Sequence, residues 1–188
     1  MLKTYKKDLL SIKRQTPSGN PFSFGEMSNM KWGLFFVFGL TALGGSAQND
    51  VVPITQFNLS EGLAIKGYDP VSYFTQHKAQ KGKKEYALIH RGVTYYFASG
   101  DDRILFQSDP LKYEPQYGGW CAYAMGNDGS KVDVDPETFK IADGKLFLFY
   151  HQFFNNTLKS WNQNESQLHR QADVNWQKII KQNPKTSI

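Results

Sequence analysis

The chain has 188 residues, of which 40% are hydrophobic and 15% aromatic, a composition typical of one globular domain with a proper core. Its formal net charge is +5, but residues 1–47 hold six basic and two acidic residues, which leaves 16 basic and 15 acidic residues in the rest. The rest of the chain is therefore almost neutral, and this excludes a nucleic-acid-binding function.

The first 47 residues have the pattern of an export leader. Lys31 precedes an apolar run of twelve residues at 32–43, and small residues follow at 44–47. This predicts a signal peptide at 30–47 and an exported protein, periplasmic or extracellular. The run is shorter than the roughly 17 to 25 residues of a membrane-spanning helix, so no stable membrane span is expected once the signal is removed. Residues 1–29 precede the basic flank and are interpreted as a disordered, over-long gene start.

The domain itself is expected at 51–182, and its first half contains one clear hairpin. A short strand is predicted at 63–65, and Asp69 followed by Pro70 predicts the start of a short helix. β-branched and aromatic residues on both sides of Arg91-Gly92 predict an antiparallel hairpin. Ser99 with Asp102 resembles a capping box and predicts a helix that stops at Asp109-Pro110, followed by a second short helix.

The second half predicts another hairpin and a helical C-terminus. A turn cluster is expected at 126–129, and Asp135-Pro136 is interpreted as a further helix start. Strands at 138–142 and 145–150 would flank a tight turn at Asp143-Gly144. Helices are predicted at 151–162 and 165–181, the second with Leu168, Ala172, Trp176 and Ile179 on one face. The predicted fold class is α+β: a small antiparallel sheet built from two hairpins, with short interspersed helices and C-terminal helices.

Three segments of the chain resemble the YHS domain family: Gly-Tyr-Asp-Pro-Val-Ser-Tyr-Phe at 67–74, Tyr-Tyr-Phe-Ala-Ser at 95–99 and Tyr-Gly-Gly-Trp-Cys-Ala-Tyr-Ala at 117–124. Short members of that family usually carry cysteines in the first two segments, where this chain has Ser72 and Ala98, and often a third where it has Asp102. The chain therefore resembles the longer, exported branch, in which the third segment supplies the one thiol. The resemblance runs over about 63–176. It implies an exported binding module for copper, another soft metal or a small molecule.

Cys121 is the single cysteine, so it cannot form an internal disulfide. It could be a buried core residue, a metal ligand, a reactive thiol or an intermolecular bridge. If 121–125 is helical, Met125 shares a face with Cys121, a pairing that suits Cu(I). His151, at the end of the second hairpin, is the histidine expected nearest. The predicted metal site is therefore Cys121, His151 and Met125, with copper or zinc as candidate ions.

The aromatic and glycine residues of the three segments also predict a small-ligand pocket. Adjacent glycines let the main chain approach a ligand, and tyrosines can present hydroxyl groups to it. The predicted ligand-binding residues are Tyr68, Asp69, Tyr73, Gly118, Gly119, Trp120 and Tyr123. Asp69 has a second interpretation, as a helix cap. Two other functions stay open: a thiol-dependent redox protein or enzyme using Cys121, and a non-catalytic interaction domain whose aromatic segments are only core.

Overall fold

The computed structural model describes residues 52–182, so the predictions for the leader lie outside the described residues. Strands and helices alternate along this part of the chain, which confirms the α+β class. The strands are β1 Leu59–Ser60, β2 Leu63–Ala64, β3 Lys83–His90, β4 Val93–Phe97, β5 Asp135–Ala142, β6 Lys145–Phe149, β7 His151–Gln152 and β8 Asn155–Asn156. The helices are α1 Ser72–Thr75, α2 Gly100–Ser108, α3 Pro110–Tyr113, α4 Ala122–Asn127, α5 Thr157–Gln163 and α6 Glu165–Gln182.

Both predicted hairpins form. β3 and β4 are antiparallel around Arg91-Gly92, and β5 and β6 are antiparallel around Asp143-Gly144. In each turn both central residues have positive φ, between 49° and 83°, as a two-residue turn of type I′ requires. Strand-forming residues on both sides of a turn therefore located these two strand pairs.

The two hairpins belong to separate sheets, whereas the sequence suggested one. In the first sheet the order is β1-β2-β4-β3, and β2 runs parallel to β4. Because β2 and β3 occupy both edges of β4, the second hairpin cannot pair with that strand. β5 and β6 form their own two-stranded sheet, joined elsewhere only by a single bridge between Pro115 and Leu146 among the described residues.

Two other local predictions are wrong. Residues 151–156 form the small β7–β8 hairpin, and α5 begins only at Thr157, where the Asn156 side chain accepts a hydrogen bond from the Leu158 N–H. Pro136 does not open a helix but lies in β5, where the pairing with β6 is irregular. Proline carries no N–H for the ladder, and an irregular stretch tolerates that loss. The predicted turn cluster at 126–129 is also shorter, because Gly126 and Asn127 belong to α4.

The core has two parts that share β6. Leu146 and Leu148 belong to a first cluster with β4, α2 and Cys121. Phe147 and Phe149 belong to a second cluster with α4, α5 and α6. Successive strand residues point to opposite faces, so β6 is covered on both sides. α6 packs on the second cluster through the four residues that the sequence placed on one face.

Within residues 52–182, no helix combines the length and the apolar character needed to cross a membrane.

Candidate functional site

Cys121 lies immediately before α4, and its thiol is fully buried in a closed hydrogen-bond network. The Tyr150 N–H donates to Sγ at 3.3 Å, and Thr157 Oγ1 lies 3.4 Å from Sγ. Thr157 donates its only hydroxyl proton to the Tyr150 carbonyl at 2.9 Å. Because that proton is used, the contact leaves the Cys121 side as the donor toward Thr157. Cys121 thus has hydrogen-bond partners inside the domain.

A cavity of about 340 Å³ opens beside this network. Its volume falls at the lower end of the range of small-ligand pockets. Most of the wall is apolar or aromatic, and the polar groups are mainly uncharged. The lining residues are Cys121, Tyr123, Ala124, Asn127, Asp128, Ser130, Val132, Tyr150, Asn155 and Thr157. We refer to it as the thiol cavity.

The other two predicted metal ligands do not join Cys121 in a donor set. The Met125 side chain is buried in the second core cluster, whereas Cys121 packs in the first. The Nδ1 atom of His151 lies 3.1 Å from Thr138 Oγ1 and 3.6 Å from Asp135 Oδ2. Among the described residues, no group of three or more His, Cys, Asp or Glu side chains could hold a metal ion. The side chains present therefore do not fit the copper or zinc site that the family resemblance implies.

His151 instead lines a neighbouring polar cavity of about 300 Å³. Asp135 accepts the Thr138 hydroxyl at 2.8 Å, so the three side chains form one contact network on β5 and β7. Lys66 also lines this cavity and pairs with Asp133 at 2.8 Å. Lys66 and Asp133 thus compensate each other's charge beside the His151 network.

Gly118 and Gly119 allow close packing between segments of the protein. Gly118 and Gly119 have φ of 62° and 84°, a region that disfavours other residues. The Gly118 carbonyl accepts the Asn58 N–H at 2.8 Å. A Cβ on Gly118 would lie 3.0 Å from the Trp176 ring and 3.1 Å from the Gln56 carbonyl oxygen. The close approach that the glycines permit is thus to the N-terminal segment and α6.

The two aromatic residues around Cys121 have different roles. Trp120 donates its indole N–H to the Gln56 carbonyl at 2.7 Å and fixes the same N-terminal segment. Tyr123 is half-buried, contacts both core clusters and lines the thiol cavity. Of the predicted ligand-binding residues, Tyr123 is the one that the structure places beside Cys121 on this cavity.

Tyr68 and Tyr73 lie away from the thiol cavity and contact β5. The Tyr68 hydroxyl donates to Glu137 at 3.0 Å, and the buried Tyr73 hydroxyl donates to the Pro136 carbonyl at 2.9 Å. Burial raises the pKa of Tyr73 far above its usual value, so this hydroxyl stays protonated. Both tyrosines therefore have their hydroxyl groups paired within the domain.

Asp69 is fully buried and accepts two main-chain hydrogen bonds. Oδ1 accepts the Val71 N–H and Oδ2 accepts the Ala98 N–H, both at 2.8 Å. Burial raises the pKa of this carboxyl to about 6, while the two N–H donors pull it in the opposite direction. Asp69 thus ties the turn before α1 to the end of β4. Its predicted role as a helix cap is wrong, because α1 begins only at Ser72 after Val71, and Pro70 lies outside the helix.

Of the residues that line the thiol cavity, sequence reasoning found only Cys121 and Tyr123, and the missed residues most distant in sequence are Tyr150, Asn155 and Thr157. They lie 29 to 36 residues after Cys121 and come to it only because the β7–β8 hairpin folds back. Asn156 was the available signal, since asparagine before an apolar helical run is typical of a helix start.

No family model, curated protein or solved structure matches the chain. The resemblance to the YHS family rests on the three sequence segments alone and stays a prediction.

Proposed function

We propose that the chain is a non-catalytic binding module that resembles the YHS family and holds a small, largely apolar molecule in the thiol cavity. The observation that carries this proposal is the cavity of about 340 Å³ at Cys121 and Tyr123, two residues of the Gly-Gly-Trp-Cys-Ala-Tyr segment. Ligand pockets are usually lined by apolar and aromatic groups with a few polar ones for orientation. Asn127, Ser130 and Asn155 are suited to that second role.

The state of the thiol supports binding over catalysis. A nucleophilic cysteine is commonly activated by an adjacent general base or by a neighbouring cation. Here Sγ contacts a main-chain N–H and a threonine hydroxyl, neither of which accepts a proton at neutral pH. The redox or enzymatic use of Cys121 has no comparable support.

The geometry around Cys121 gives less support to metal binding than to the binding of an organic molecule. A soft ion at Cys121 would require the thiol to leave its hydrogen-bond network and Met125 to leave the second core cluster. We therefore favour an organic ligand over copper or zinc.

We further propose that the module acts outside the cytoplasm. The apolar run at 32–43 with its basic flank and small-residue end supports export, and cleavage after Ala47 would leave the whole thiol cavity in the mature protein.

The test is to block the cavity from its rim. Asn155 is exposed, lines the cavity and pairs with Gln152, which does not line it. Asn155→Trp should therefore close the cavity, while Gln152→Trp serves as the control on the same hairpin. We expect native mass spectrometry and a thermal-shift screen of small apolar compounds to detect binding to the wild type and Gln152→Trp but not to Asn155→Trp.

Metal analysis of the wild type and Cys121→Ser separates the two kinds of ligand. We expect neither protein to hold stoichiometric copper or zinc. Stoichiometric metal that is lost in Cys121→Ser would overturn the organic-ligand proposal, as would compound binding that persists in Asn155→Trp or is absent from the wild type.

A further inference from the structure

A second, larger cleft lies between α4, α5 and α6, with a volume of about 490 Å³. Its lining contains five carboxamide side chains, a serine and a tyrosine, and no charged residue. The lining residues are Tyr123, Gly126, Asn127, Ser160, Gln163, Asn164, Gln167, Leu168 and Gln171. We refer to it as the amide cleft.

The cleft exists because α4 and α6 approach each other closely at Gly126. A Cβ at this position would lie 2.5 Å from the Leu168 carbonyl oxygen, so only glycine lets the two main chains touch. The Asn175 side chain adds a hydrogen bond to the Met125 carbonyl at 2.9 Å. This contact fixes the end of α4 against α6 and sets the position of the carboxamide groups.

The carboxamides follow the helical repeat. Gln167 and Gln171 are four residues apart in α6 and therefore share a helix face, and Gln163, the last residue of α5, lines the same cleft. Asn164, between the two helices, donates to Gln167 Oε1 at 2.8 Å. That bond leaves the Gln167 N–H groups and the Asn164 oxygen available on the same wall.

Several polar groups of the cleft have no partner among the described residues. The side chain of Gln163 and the hydroxyl groups of Ser160 and Tyr123 make no hydrogen bond there. Each carboxamide offers two N–H donors and an acceptor oxygen. The cleft therefore presents alternating donors and acceptors without net charge, beside the half-buried face of an aromatic ring.

We propose that the amide cleft binds a neutral, polyhydroxylated ligand, a mono- or disaccharide. Each hydroxyl group of such a ligand can both donate and accept a hydrogen bond. A carboxamide side chain can do the same, so it matches these hydroxyl groups better than a side chain that only donates or only accepts. The absence of charge in the lining disfavours phosphorylated or carboxylated ligands, because nothing there would compensate their charge. The amide cleft shares Tyr123 and Asn127 with the thiol cavity, but it is a further site, since Gln163 and Gln167 line the cleft alone and Asn155 lines only the thiol cavity.

The experiment titrates the purified full-length chain with glucose, N-acetylglucosamine, maltose and trehalose by calorimetry and saturation-transfer NMR. We expect saturable binding of at least one of these sugars. The variant Gln163→Ala/Gln167→Ala should bind that sugar at least tenfold more weakly. Gln177→Ala is the matched control, because Gln177 is an exposed glutamine of α6 outside the cleft.

Both substituted glutamines are exposed, so the double variant should keep the wild-type circular dichroism spectrum and melting temperature. The proposal is overturned if none of the four sugars binds saturably, if the double variant binds as the wild type does, or if glucose 6-phosphate binds more tightly than glucose. Asn155→Trp, which blocks the thiol cavity, should leave sugar binding unchanged, so the two sites can fail independently.

Discussion

At the level of single residues, Asp69 shows how one side chain joins distant parts of the chain. Its two carboxylate oxygens accept hydrogen bonds from the N–H groups of Val71 and Ala98, which lie before and after the β3–β4 hairpin in the chain. Both hydrogen bonds favour the ionised form, yet full burial favours the neutral form more strongly, and the pKa rises from 3.8 to about 6. The side chain is therefore more easily protonated in the folded protein than in the unfolded chain.

This difference predicts a pH dependence of stability. A group whose pKa is raised by folding stabilises the protein fully below its unfolded pKa, near 4, and this contribution is lost as pH rises through about 6. Two pKa units correspond to roughly 3 kcal/mol at most. We expect the free energy of unfolding of the wild type to fall relative to Asp69→Asn between pH 4 and pH 7. Urea titrations of both proteins across this range measure it, and parallel curves would contradict the raised pKa.

Cys121 shows which properties of a single residue the sequence does not predict. A helix over 121–125 was only a condition of the predicted metal site, and α4 does begin directly after Cys121. The hydrogen-bond partners of Cys121 could not be inferred, because Tyr150 and Thr157 reach it through tertiary folding. Met125 was predicted as a ligand from its spacing to Cys121, and His151 from its position at the end of a strand. In the structure, Met125 packs in the second core cluster and His151 contacts Thr138.

At the level of elements, local chemistry predicted structure wherever one short signal dominated. Arg91-Gly92 and Asp143-Gly144 located two hairpins, and the Ser99 hydroxyl caps α2 by accepting the Asp102 N–H at 3.1 Å. The failure at 151–156 has a physical cause. Phe153 and Phe154 form the exposed tip of a hairpin in which Phe153 has a φ of 52°, a conformation that a continuous helix does not allow.

The packing of α4 on α6 yields a second prediction. Replacing a helical glycine with alanine ordinarily stabilises a protein by up to about 1 kcal/mol. In Gly126→Ala the new methyl group would meet the Leu168 main chain, which cannot move aside as a flexible side chain could. We expect a loss of about 2 kcal/mol or more in the free energy of unfolding, measured by chemical denaturation.

Gly100→Ala provides the matched control. Gly100 lies in the first turn of α2, and a Cβ there would meet only the edge of the Tyr86 ring at 3.9 Å. This substitution should be neutral or slightly stabilising. Equal effects at both positions would mean that α6 adjusts freely to α4, and the rigid geometry of the amide cleft would then lose its basis.

At the level of the whole molecule, β6 joins the two core clusters. Leu148 lies on the face toward the first sheet, and Phe147 on the face toward the C-terminal helices, and each is at most 1% exposed. Neither cluster can lose this strand without exposing the other. The domain should therefore unfold as one cooperative unit, even though its strands belong to separate sheets.

Hydrogen exchange can test this cooperativity with one substitution on each face of β6. Leu148→Ala and Phe147→Ala should each lower the free energy of unfolding by about 2 to 5 kcal/mol, because each leaves a cavity in a closed core. Peptides from β4 and from α6 should show the same loss of protection in both variants, since a single opening exposes both. Ile89→Ala, at a position 70% exposed on β3, should change protection by less than about 0.5 kcal/mol. If Phe147→Ala accelerated exchange in α6 while β4 kept its protection, the C-terminal helices would form a separate unit, and β6 would not couple the two clusters.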